Sequence, residues 1–206
     1  MNKLFIIGLP RTGTTSISVA LIEHFKVAHT AYTKRAFELA DVVSDCPCFS
    51  DYQQLDVLFP ESKFVYLQRP LDQWLPSIQM LLNKMLPSLN GETYVNPILK
   101  RSFGQIFDLN NVDNPLDGAH LTTCYQRHEQ VVMDYFHGRD NLLSIDISQT
   151  NSLPQLLSFL GLQHSGDEQF PHLNIGNRVD HWKEIKHPHK VNANAAGREH
   201  RKFFDY

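Results

Sequence analysis

The chain has 206 residues, 42% apolar and 20% charged, a composition that excludes a disordered chain and predicts one soluble globular domain, 1–206, with a real core. Its formal net charge of −3 excludes general affinity for nucleic acid, although a small anion feels only the local field. The longest apolar runs, 4–8, 39–43 and 64–67, fall far short of the roughly 18–20 residues that a membrane span needs, and the apolar start is too short for a signal peptide, so a cytoplasmic protein away from membranes is expected.

Residues 3–8, KLFIIG, predict a strand that is apolar on both faces, as a central parallel strand is. The segment GLPRTGTTS, 8–16, follows. Gly8 and Gly13 stand at the spacing of the phosphate loop G-x-x-x-x-G-K-[ST], but Thr14 takes the lysine's slot. The glycines are expected to let the backbone turn and approach an anion without a Cβ in the way. Thr14, Thr15 and Ser16 place hydroxyls and free N–H groups at the start of a helix expected over 14–25, where partial positive charge collects. The cation has moved to Arg11, which stays protonated at ordinary pH. Its expected role is electrostatic.

A short strand is expected near 26–29, a helix over 34–40 and a short strand or turn over 41–44. Cys46 and Cys48 form a C-x-C without a second pair and, with Cys124, read as reduced thiols rather than a zinc site. A helix over 51–59 is stopped by Pro60. KFVYLQR, 63–69, is a second strong strand, and Pro70 is expected as the first residue of a helix reaching about Leu86. Residues 87–118 read as an insertion or lid containing a helix over 97–107. A long helix over 119–137, a third strong strand over 141–147 and a helix over 152–160 ended by Gly161 complete the pattern. His187-Pro-His189 reads as a solvated loop. The basic tail, 179–206, is expected either to fold over a nucleotide or to stay solvated. Strands alternating with helices predict an α/β fold, a three-layer parallel sheet flanked by helices. Ligands of such sheets bind beyond the carboxyl ends of the strands, where 8–11, Arg69 and Asp146 fall. Trp74 reads as a core residue rather than a purine platform.

Pro10-Arg11-Thr12-Gly13-Thr14-Thr15-Ser16 resembles the 5′-phosphosulfate loop of the sulfotransferases that use 3′-phosphoadenosine 5′-phosphosulfate (PAPS). Arg69 at a strand end with Ser77 eight residues on resembles the second half of that family's signature. The likeness spans about residues 3–178. It implies a P-loop-like sulfotransferase fold, PAPS as donor, adenosine 3′,5′-bisphosphate as product and no metal. It also implies that 10–16 hold the 5′ end of the donor and that Arg69 and Ser77 hold its 3′-phosphate. The family's basic Arg-Lys-Gly motif is absent, and Arg178 is the candidate substitute. A base must take the acceptor's proton: Asp45 is the first choice and His29 the next, ahead of Asp51, His120 and His128. The acceptor, a small molecule or a glycan, is not legible, nor is the oligomeric state. Two rival readings are a kinase or nucleotide hydrolase, with Asp146 holding magnesium, and a nucleotide-binding protein without catalysis.

Overall fold

The computed structural model describes residues 3–171, 173, 181–196 and 202–206. Five parallel strands form one sheet in the order β2-β3-β1-β4-β5: β1 Leu4–Ile6, β2 Val27–Ala28, β3 Val42–Ser44, β4 Lys63–Gln68 and β5 Leu142–Asp146. In the register, Phe5 of β1 lies beside Val43 on one side and Phe64 on the other. Alternating side chains point to opposite faces of a strand, and both faces of this sheet are apolar. Phe5, Val43, Phe64 and Tyr66 pack under α2 Lys34–Leu39, α3 Cys48–Leu58 and α6 Gly118–Tyr135. Leu4, Ile6, Val65 and Leu67 pack under α1 Thr14–Leu21 and α7 Ser152–Leu160. A third cluster joins Leu9, Cys46 and Phe49 to α4 Leu71–Leu89, α5 Pro97–Phe107 and α6. It includes Trp74, Phe103 and Phe107.

The expected α/β architecture holds, with differences at element ends. The helix at 14 ends at Leu21 rather than Phe25. α3 begins at Cys48 rather than Asp51, with Pro47 at its cap. Pro70 is the N-cap of α4, not its first residue, and α4 runs through Pro76 and Pro87 to Leu89. Proline removes a helical donor, but Trp74, Ile78, Leu82 and Leu89 of α4 are buried, and that packing keeps the helix going. α5 and α7 begin and end where expected. Asn96 caps α5 by accepting from the Ile98 N–H at 3.0 Å, and Gly161, at φ 73°, ends α7.

The described parts of the C-terminal region, 181–196 and 202–206, are docked on the domain rather than solvated. Val27 N–H donates to His189 O at 2.9 Å, and Val191 N–H donates to Val27 O at 2.8 Å, so this segment lies along the outer edge of β2. The His189 ring meets Ile22 O at 2.9 Å and His187 lies 3.6 Å from Glu23, which corrects the expected solvated loop. Farther on, Phe203 and Phe204 lie against Phe37. Tyr206 Oη donates to Asp51 at 2.5 Å.

Candidate functional site

A cavity of about 180 Å³ opens beyond the carboxyl ends of β1, β3 and β4. The loop after β1 forms its floor. Three successive loop carbonyls are held from within: Leu9 O by Thr12 Oγ1 at 2.7 Å, Pro10 O by Trp74 Nε1 at 2.9 Å and Arg11 O by Arg69 Nη1 at 2.6 Å. Trp74 is fully buried, so it is the expected core residue, and it also pins the loop. The Thr12 N–H also bonds back to Leu9 O at 3.2 Å, and the start of α1 lines the cavity. The first four N–H groups of a helix have no partner inside it, and Gly13 caps α1 without a side chain.

The glycines also answer a packing demand. A Cβ on Gly8 would stand 2.5 Å from Leu67 Cβ, and one on Gly13 would stand 2.2 Å from Ile147 Cδ1. The missing Cβ atoms therefore let the loop lie against Leu67 of β4 and Ile147 just after β5. Gly13 adopts φ 110° and Arg11 φ 72°, the left-handed turns that re-aim the chain into α1.

Pro10, Arg11, Gly13, Thr14, Thr15, Ser16, His29, Asp45 and Arg69 all line the cavity. Arg11 Nε donates to Ser77 Oγ at 2.7 Å, which aims the guanidinium. Burial pushes the Arg11 pKa down, and the Arg69 charge pushes it further, against Asp45. Burial lowers Arg69 as well. Two desolvated like charges beside a helix start form a site that an anion relieves. Thr14 Oγ1 donates to Asp45 Oδ2 at 3.0 Å. His29 Nε2 lies 2.8 Å from Thr15 Oγ1 and 3.9 Å from Asp45 Oδ2. Its ring stacks on Trp182 of α8, His181–Glu184, with centroids 5.5 Å apart. Burial pushes the His29 pKa below its ordinary value, Asp45 opposes this, and Lys190 adds to it.

Two predicted residues do not line the cavity. Thr12 is buried with its hydroxyl on Leu9, and Ser77 reaches the site only through Arg11. Arg178 lies outside the described residues. The weaker base candidates have structural partners. Asp51 pairs with Arg101 at 2.5 Å, and His120 meets Phe107 O at 2.8 Å. His128 meets Phe49 O at 2.7 Å with its pKa pushed down by burial to about 4. Asp146 accepts from Ser148 N–H at 2.9 Å and from its hydroxyl at 2.7 Å, so it caps a turn.

Sequence reasoning missed the apolar wall, formed by Leu81 and Met85 of α4, Leu99 and Phe103 of α5, and Leu173. The i, i+4 pairs 81/85 and 99/103 were legible as helix stripes, but such stripes look the same whether they face a core or a cavity. Among the described residues no cluster of His, Cys, Asp or Glu is arranged to hold a metal ion, the three thiols are buried and unbridged, and no helix is long and apolar enough to cross a membrane.

A family model described as a sulfotransferase domain matches residues 22–179. That stretch begins after the loop, so the loop geometry and the match are independent observations. No curated protein matches the chain.

Proposed function

We propose, on the premise that the chain belongs to the sulfotransferase domain family, that it moves a sulfuryl group from PAPS to a hydroxyl or amine of an acceptor. The observation that carries this reading is the convergence of Arg11 and Arg69 on the start of α1, braced by the bond from Arg69 Nη1 to Arg11 O at 2.6 Å. A donor with one 5′-phosphate needs no lysine reaching toward a γ-phosphate, the role that residue has in nucleotide hydrolases. Fixed donors aimed at developing charge suit this transfer, because they need no reorganisation as it proceeds.

In this reading the 5′-phosphate rests on the loop and the N–H groups of 13–16, with Arg11 neutralising the charge that grows there as the bond to sulfur breaks. Arg69 holds the 3′-phosphate, and Ser77 serves by aiming Arg11. The acceptor oxygen or nitrogen forms the new bond to sulfur, and its proton passes to the Asp45–His29 pair. Both side chains line the cavity, and His29 must be neutral to share that task.

Thermal shift is the test. Adenosine 3′,5′-bisphosphate at about 100 times its dissociation constant is expected to add about 2.7 kcal/mol of stability, and PAPS is expected to label an acceptor with sulfate. Stabilisation by ATP with magnesium alone would sink the proposal in favour of a kinase or nucleotide hydrolase. Bisphosphate binding without transfer to any acceptor in a broad panel would mark a binding protein.

A further inference from the structure

The cavity is chemically two-sided. Its polar side holds Arg11, the hydroxyls of 14–16, His29, Asp45 and Arg69, whereas its other side is Leu81, Met85, Leu99, Phe103 and Leu173. We infer that this α4–α5 wall is the acceptor subsite and that it takes an uncharged, apolar-bodied alcohol or phenol. The inference rests on the sulfotransfer reading for the word acceptor, but the wall's preference for apolar surface does not depend on it.

The wall is built rather than incidental. α5 presents Leu99 and Phe103 to the cavity, while Arg101 and Ser102 between them bond to α3. Arg101 Nη1 donates to Asp51 Oδ1 at 2.9 Å, and Ser50 Oγ donates to Ser102 Oγ at 2.8 Å. Phe103 also sits edge-on to Phe49 at 5.6 Å. α5 is therefore fixed in rotation, with its apolar pair toward the cavity. On α4, buried Ile78 and Leu82 face the core, which leaves Leu81 and Met85 for the cavity.

A sugar ring laid on this wall would bury several hydroxyls against side chains with no hydrogen-bonding group. Each unpaired polar group costs about 1–3 kcal/mol, so two or three of them forfeit micromolar binding. An alkyl or aryl body instead gains from every apolar contact, and unbranched Met85 adapts to its shape. Its single hydroxyl is then the one group that must find polar partners, and the polar side of the cavity supplies them.

Met85 is one of four methionines, so its methyl group is a direct reporter. The full chain, labelled with ¹³C at methionine methyls and assigned through Met85→Leu, would be titrated with 4-propylphenol and with N-acetylglucosamine, each with and without adenosine 3′,5′-bisphosphate. The Met85 signal is expected to shift with the phenol and stay in place with the sugar. In transfer assays Leu99→Asn is expected to lower kcat/KM for the phenol by about tenfold or more, with bisphosphate affinity held within about twofold because Arg11, Arg69 and the loop stay in place. A Met85 signal silent to the phenol, or sulfate passing to the sugar in preference to the phenol, would overturn the inference. If bisphosphate fails to bind while Met85 still answers the phenol, the donor reading falls and the apolar site stands.

Discussion

Arg11 and Arg69 differ in what they hold, so their losses should differ in kind. Arg69 supplies a charge and also braces the loop through the Arg11 carbonyl. Hydrogen bonds to charged groups contribute about 1.5–3 kcal/mol, so Arg69→Ala should raise the bisphosphate dissociation constant by about 10–100-fold, read by calorimetry. In the proposed transfer Arg11 meets the charge that grows on the leaving phosphate, so Arg11→Ala should lower kcat by about 10²–10³ with a smaller change in affinity. Equal effects of the two on affinity alone would contradict that division. In the proposed reaction His29 sets the pH dependence. Its pKa is lowered, chiefly by burial, and only the neutral ring can share the acceptor's proton. The acid limb of kcat/KM should therefore lie below the ordinary value of about 6.5. Trp182→Ala uncovers the ring and should move that limb up toward 6.5, while Trp182→Phe should leave it in place. The groups facing His29, namely Asp45 and Lys190, remain in both variants. An unmoved limb in Trp182→Ala would show that the stacking is incidental. Asp45 and His29 were legible in the sequence as residue types near strand ends. Their meeting through Thr14 and Thr15 was not, because hydrogen bonds across 31 and 14 residues leave no local pattern.

The element that most constrains the site is the turn between β1 and α1. Gly13 combines a positive φ with a contact that excludes any Cβ. Backbone strain of this kind costs about 1–3 kcal/mol, so Gly13→Ala should lower Tm by about 2–12 °C for a domain of this size. Adding Ile147→Ala should recover the part due to crowding and leave the part due to φ. Full recovery would mean that the left-handed turn is not strained. This turn was legible because glycine spacing is local chemistry, and the strands were legible because apolar runs mark buried parallel strands. The ends of α1 and α4 were not. α1 stops at Leu21 although Phe25 continues its apolar spacing, and α4 passes Pro76 and Pro87 because tertiary burial outweighs two missing donors. The packing demand on the glycines was likewise hidden, since Leu67 of β4 and Ile147 just after β5, which impose it, are far away in the sequence.

Across the whole molecule, a polar cluster ties three distant parts together: Asp51 of α3, Arg101 of α5 and Tyr206. Asp51 is 1% exposed whereas Arg101 is 42% exposed. Removing Arg101 strands a buried carboxylate, and Arg101→Met should cost about 3 kcal/mol. Removing Asp51 frees an arginine that can turn to water, so Asp51→Asn should cost clearly less, by urea unfolding. The reverse order would mean that other donors to Asp51 carry the cluster. None of this was legible in the sequence, which presents the tail as a basic segment and conceals its aromatic anchor. The docked tail also has a consequence for synthesis. All five strands and the longer helices lie before residue 161. At roughly 5–20 residues per second, the remainder of the chain follows over about 2–9 s. A nascent chain can thus close its sheet and its β1–α1 turn while Trp182 has yet to cover His29 and Tyr206 has yet to reach Asp51. The cover over His29 and the Tyr206 tie to Asp51 are therefore among the last contacts that synthesis allows to form.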